Sequence, residues 1–276
     1  MAHKILNTPG GIGQIPAGNV LVGNGYTDNL ATFNGKIFVF DFDNQPDPYN
    51  PLNLPKNTIR VKFKSGYTPD MGDTQTLVDD TNNVWDIYKE GTDWDGLFNE
   101  NSDHYLLEVL GANTKNVTTM FSLFHYCKAL TRVTLFDTSN VTSMNQMFYC
   151  CESLTNVPLY DTSKVTDMAR MFYMCHSLTS VPLIDTSSVT DMDSMLYDCT
   201  SLTNLPLFDT SSVTNIDNAF GNCYDVKSGA LALYQQASTQ TNPPSQHSFT
   251  FYGCGSNTQT GAAELAQIPS GSDGWR

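Results

Sequence analysis

Basic residues are scarce in this chain: 14 Lys and Arg stand against 28 Asp and Glu in 276 residues, a net charge of −14. A nucleic-acid backbone is held by a basic stripe, so no nucleic-acid partner is expected. Long apolar runs are missing as well. No stretch approaches the roughly 20 residues that a membrane-spanning helix requires, and no membrane insertion is expected. The opening MAHKILNTPGGIGQIPAG holds one Lys and no apolar core, which argues against a secretory signal there.

Catalytic and metal signatures are equally thin. The paired C-x-x-C spacing of a structural zinc site does not occur. The five histidines show no metal spacing with the cysteines. His125 and His176 lie one or two positions from a cysteine, where side chains on a helix diverge, so no Cys–His pair is expected. GGIG near the start has Pro16 where a dinucleotide loop needs its third glycine. DFDNQPD at 41–47 begins with calcium-loop spacing, but Pro46 replaces the required Gly and Leu52 the closing Glu, so it reads as a strand running into a turn. No enzyme, metal site or cofactor is expected.

A repeat is what the sequence does have. Copies begin at Asn113, Asp137, Asp161, Asp185 and Asp209, 24 residues apart, and the clearest is DTSKVTDMARMFYMCHSLTSVPLI at 161–184. A fixed period of this length marks a solenoid, in which each unit buries its apolar face against its neighbours. Cysteine recurs in register at Cys127, Cys151, Cys175, Cys199 and Cys223, and Cys254 in FYGC is read as a delayed last rung; only Cys150 falls outside. Such a ladder is expected to be buried and reduced, which suits folding in a cytosol.

Within a repeat, Met168, Met171, Phe172 and Cys175 fall at i, i+3, i+4 and i+7, the apolar face of a short helix. Thr142, Thr166, Thr190 and Thr214 precede these segments as expected helix caps. Leu154, Val157 and Leu159 then give the L-x-x-V-x-L of a strand, although Pro158, Pro182 and Pro206 would interrupt its ladder. The Asp of each Asp-Thr-Ser is expected to cap a turn, with a row of calcium ions along Asp137, Asp161, Asp185 and Asp209 as the alternative. Phe136, Tyr160, Ile184 and Phe208 follow the last strand leucine of each repeat and are expected to project from one surface as a candidate contact stripe, with tucking under the turn or packing on a terminal arm as the alternative. The Asn-Val-Thr sequons at Asn116 and Asn140 follow from repeat register, not from selection for glycosylation.

Outside the repeats, Thr58–Lys64 alternates as a half-buried strand, with Ile59, Val61 and Phe63 on one side. Trp94, Leu97, Phe98 and LLEVL at 106–110 read as a degenerate first coil, and 228–240 as an added helix. The fold expected is α/β: a solenoid of strand-turn-helix repeats, a short irregular β-rich N-terminal segment and a helical C-terminal cap. Its divisions are 1–55, 56–112, 113–232 and 233–276.

The pattern DTSxVTxMxxMFxxCxSLTxVPLF over 113–223 resembles the BspA-like leucine-rich-repeat proteins of bacterial surfaces. The resemblance implies a curved leucine-rich-repeat solenoid used for adhesion and for binding protein or glycan, with no catalytic motif to carry over. By analogy of fold, such repeat modules also look at home in bacteriophage virion proteins, made in the host cytosol without export. The expectation is therefore a non-enzymatic binding or assembly module on a phage virion, attached through its N-terminal segment to a protein partner. A bacterial cell-surface adhesin is the alternative, and self-association stays open.

Overall fold

The computed structural model describes residues 49–70, 75–98, 104–270 and 274–276 in full, and four strands within the first 37. The chain falls into two compact units, Met1–Asp47 and Pro48–Arg276. In the first, β1 (Asn19–Val22) pairs antiparallel with β2 (Tyr26–Asn29), and β3 (Thr32–Phe33) with β4 (Lys36–Ile37). The calcium-loop-like 41–47 and the GGIG turn lie outside the described residues. The sequence placed the first division after residue 55. Residues 49–57 belong to the second unit, and side chains tie them there: Asn57 Nδ2 donates to Gly91 O at 2.7 Å, and Asn113 Nδ2 donates to Leu54 O at 2.9 Å.

The second unit begins with a four-stranded antiparallel sheet ordered β6-β7-β5-β8, formed by β5 (Thr58–Phe63), β6 (Gln75–Asp79), β7 (Val84–Tyr88) and β8 (Leu106–Ala112). Alternation in β5 buries Ile59, Val61 and Phe63, as a strand with one apolar face should. On the other face, Arg60 Nε meets Asp86 Oδ1 at 2.6 Å across the β5–β7 pair. Glu108 of β8 receives both Lys62 and Arg132.

β8 also starts the repeats. Val109 N donates to Arg132 O at 2.9 Å, and Glu108 forms a parallel bridge with Arg132, 24 residues on. Parallel bridges then run from Asp93 to Thr119, Ser143, Asp167, Asp191, Asn215 and Gln246. Each repeat thus stacks on the one before it, with equivalent positions in columns. Phe rings mark the interior: Phe98, Phe124, Phe148 and Phe172 stack at centroid spacings of 5.4–5.6 Å. The last step is longer in sequence because α1 (Ala230–Thr239) is inserted; Phe251 then stacks on Phe220 at 5.4 Å. α2 (Gln259–Leu265) follows, and its Glu264 Oε2 accepts from Leu231 N of α1.

The repeats differ from the expected strand-turn-helix units. Among the described residues no named strand or helix lies between Ala112 and Ala230. The i, i+3, i+4, i+7 pattern arises instead from consecutive turns. Met171, Tyr173 and Cys175 N–H groups bond three residues back, while those of Met168, Arg170, Phe172 and Met174 bond carbonyls of the next repeat. Alternating local and lateral bonds need a left-handed residue every fourth position, and Arg170 (φ 56°) and Met174 (φ 57°) supply it. That conformation costs a non-glycine residue about 1–2 kcal/mol, offset here by satisfied lateral bonds. A continuous helix would have left the columns unpaired.

The same stacking corrects a further expectation. The threonines expected as helix caps point along the column: Thr142, Thr166, Thr190 and Thr214 donate through Oγ1 to the carbonyl of Thr118, Thr142, Thr166 and Thr190 respectively, at 3.1–3.3 Å. The VPL segments form no named strand, in line with the expected interruption by their prolines, and a lateral bond is kept just before one of them, from Thr179 N to Thr155 O.

Candidate functional site

Columns make the surface as repetitive as the core, so a candidate site is found by asking which columns face water. The expected contact stripe does not. Phe136, Tyr160, Ile184 and Phe208 are 0%, 3%, 4% and 0% exposed, and Phe136 packs on Tyr160 at 5.0 Å between ring centroids. The reason is a phase shift at proline. Ile184 N donates to Pro182 O at 2.9 Å and Phe208 N to Pro206 O at 3.0 Å, closing three-residue turns. Each turn throws its central leucine outward and returns the next residue to the core.

The exposed column is therefore Leu159, Leu183 and Leu207, at 59%, 62% and 54% exposure. Leu135 begins it, half-buried. One level earlier Gly111 takes the leucine's place, and a Cβ there would lie 2.8 Å from Leu52 Cδ1. An aliphatic side chain from a separate run, Asn50-Pro-Leu-Asn-Leu-Pro, thus lies across the end of the column. Strict period-2 reading missed these leucines. The signal that could have found them is the proline directly before each one, which breaks the alternation.

Beside the leucines run the Asp-Thr-Ser turns. Oδ1 of Asp137, Asp161, Asp185 and Asp209 accepts the N–H of Ser139, Ser163, Ser187 and Ser211 at 2.8–3.1 Å. The two bonds from Ser187, through Oγ and N–H, hold the Asp185 carboxyl below its ordinary pKa. The threonine of each turn faces inward. Thr114, Thr138, Thr162 and Thr186 are buried, and each donates to the carbonyl of the next repeat's Asp at 2.6–2.9 Å. On the far flank stand uncharged exposed residues such as Thr155, Asn156, Ser180 and Asn204.

The cysteines Cys127, Cys151, Cys175, Cys199, Cys223 and Cys254 are all buried, and every one of the seven cysteines keeps a reduced thiol. Sγ of Cys151, Cys175, Cys199 and Cys223 donates to a carbonyl of the preceding repeat at 3.1–3.2 Å. Burial pushes these thiols far from ionisation, that of Cys223 up to about 12. Cys150 sits apart, its Sγ 3.9 Å from Met174 Sδ, and burial raises it to about 11. A thiol so far from its thiolate is a poor nucleophile near neutral pH.

Charged side chains also pair along the repeats, as Arg170 Nη2 does with Asp193 Oδ2 at 2.7 Å. His176 Nε2 lies 3.1 Å from Asp198 Oδ2, and Lys128 Nζ lies 2.9 Å from Glu152 Oε1. Tyr149, Tyr173 and Tyr197 stack in a half-buried column at 4.7 and 5.1 Å. Among the described residues no three His, Cys, Asp or Glu side chains are grouped to hold a metal ion. No helix among them is long and apolar enough to cross a membrane.

Stacked 24-residue units with an inward L-x-x-V and an outward leucine define a leucine-rich-repeat-like protein. The family described as "Mycoplasma protein of unknown function, DUF285" matches residues 92–182 and again 153–241. The two matches together span more than half of the chain, which belongs to this family. Among solved structures, a leucine-rich-repeat protein of T. pallidum is 22% identical, over 56% of this chain and 68% of its own, with a TM-score of 0.39. No curated protein matches the chain.

Proposed function

We propose that this protein is a non-enzymatic binding or adhesion module: a leucine-rich-repeat solenoid, closed at its C-terminal end by α1 and α2, that presents one repeating face to a protein partner. The observation that supports this reading is the leucine column. Most large apolar side chains of the repeats fill the interior, with Phe121 in the first repeat and Phe249 and Tyr252 at the last level as isolated exceptions, whereas Leu159, Leu183 and Leu207 stay more than half exposed at three successive levels. Contiguous apolar exposure on a soluble protein marks a contact surface more often than chance. Regular spacing extends it into a strip.

The test separates contact from folding. Replacing Leu159, Leu183 and Leu207 together with Ser is expected to abolish binding of labelled protein to its target cells or particles, while stability changes by less than about 1 kcal/mol. Tyr160→Ser, one position away and buried, is expected to cost about 3 kcal/mol or more. Undiminished binding by the triple-leucine variant sinks the proposal. The setting, a phage virion with a bacterial surface as the alternative, is tested independently by immunogold labelling of particles and cells.

A further inference from the structure

The two columns side by side form one surface, and its chemistry is more specific than apolar exposure alone. In each of three repeats an exposed leucine is followed two residues later by an exposed aspartate: Leu159 and Asp161, Leu183 and Asp185, Leu207 and Asp209. The opposite flank carries hydroxyl and amide groups without charge. Among nearby cations, Lys164 is turned to Asn140 Oδ1 at 2.8 Å, and Arg132 at the N-terminal end is held by Glu108. The face is thus apolar along one line and negative along the next.

We propose that this face binds a basic amphipathic helix lying along the column, its aliphatic residues between the leucines and its Lys or Arg residues over the aspartates. The inference rests on the reading of the chain as a binding module and names its partner class. Register favours a helix: its turns rise about 5.4 Å, against levels spaced at about 4.8 Å, so one apolar residue per turn meets one level over three or four levels. Charge complementarity favours a basic partner: the carboxylates of Asp161, Asp185 and Asp209 accept from the serines of their own turns, and no Lys or Arg among the described residues is paired with them. A second copy of this chain is disfavoured, since pairing two such faces sets carboxylate rows together on molecules of net charge −14. Leu52 over Gly111 shows the same surface accepting an aliphatic side chain from another segment at the column's end.

The probe is a synthetic 18-residue helix with leucines along one face and lysines beside them, followed by fluorescence anisotropy against the full chain. It is expected to bind at least about tenfold more tightly than a scrambled peptide of the same composition. Replacing Leu159, Leu183 and Leu207 with Ser should weaken it about tenfold or more. Replacing Asp161, Asp185 and Asp209 with Asn keeps the turns, since Asn accepts the same Ser N–H, and should weaken it about three- to tenfold while flattening the salt dependence. Equal binding of the scrambled peptide, or of a glutamate version of the helix, overturns the inference. The two readings fail separately. If the triple-leucine variant loses target binding but the basic helix is not bound, the binding module stands and this partner class falls.

Discussion

Strands β5 and β8 and the repeats of 113–228 bury their apolar side chains by different means. In the sheet, β5 lies between β7 and β8 in antiparallel register, and alternate residues face the core. In the repeats, lateral bridges join positions 24 residues apart from Thr119 to Asn215, and direction is set by turns that carry two left-handed residues per repeat, four positions apart. The difference teaches that one rule, bury the apolar face and satisfy the backbone, has two solutions. The sheet solves it once, with long-range pairing of dissimilar strands. The repeats solve one level and copy it, so a single side-chain position becomes a column.

The comparison is tested most severely by opening the core in each region. Phe172, fully enclosed and stacked on Phe148 with ring planes 2° apart, is expected to cost about 3–5 kcal/mol when replaced by Ala. Ile59→Ala, in the middle of the sheet, is expected to cost about 2–5 kcal/mol. Magnitude alone does not separate them, but hydrogen exchange does. A stack held by nearest-neighbour interfaces should lose protection first in the levels next to Phe172. Uniform loss of protection over sheet and repeats together would break the distinction between the two regions.

The same contrast explains what the sequence reveals. β5 is legible because nothing interrupts its period of 2: Ile59, Val61 and Phe63 are buried where alternation puts them. The repeat period and the inward cysteine positions are equally legible, since identity at a 24-residue offset does not depend on local conformation. Local conformation inside the repeat is not. Left-handed backbone is announced by Gly or Asn, yet Gln146, Cys150, Arg170 and Met174 adopt it here, because lateral bonds over-determine positions that propensity alone would assign to a helix. The contact face failed for a related reason. Proline turns move each exposed side chain by one position, from Tyr160, Ile184 and Phe208 to Leu159, Leu183 and Leu207.

Hydrogen bonding sharpens the comparison at smaller scale. Thr162 Oγ1 donates to Asp185 O at 2.7 Å across two levels, whereas Thr58 Oγ1 reaches Lys56 O of its own strand end at 3.4 Å; both threonines are buried. Valine keeps the shape and removes the hydroxyl. Thr162→Val is expected to cost about 1–3 kcal/mol, because it strips a donor from a carbonyl in the dry interior. Thr58→Val should cost less than about 1 kcal/mol, since its bond is long. Equal losses by urea unfolding would mean that the inter-level bond contributes nothing particular to the stack.

Columns also carry a liability that a sheet of dissimilar strands avoids, because repeating a carboxylate sets like charges one level apart. Asp191 shows it. Burial first, and then the neighbouring charges of Asp167 and Asp193, raise its pKa, although the Asp193 N–H it accepts pulls the other way. A carboxyl whose pKa is higher folded than unfolded destabilises the fold when ionised. That penalty is absent below the unfolded value, grows as pH rises through the gap, and is complete above the raised folded value. The next level down already holds the remedy: Asn215 accepts Asp217 N at 3.2 Å in the same turn without a charge. Asp191→Asn is therefore expected to leave stability within about 1 kcal/mol of the parent at pH 7, on the stabilising side, with the difference vanishing on acidification. Thermal unfolding of both proteins from pH 7 down to pH 4 checks the sign. A loss of stability at pH 7 would mean that the bonds the ionised carboxylate accepts, from Asp193 N–H within the turn and from the Asn215 side chain one level on, outweigh its burial and the neighbouring charges.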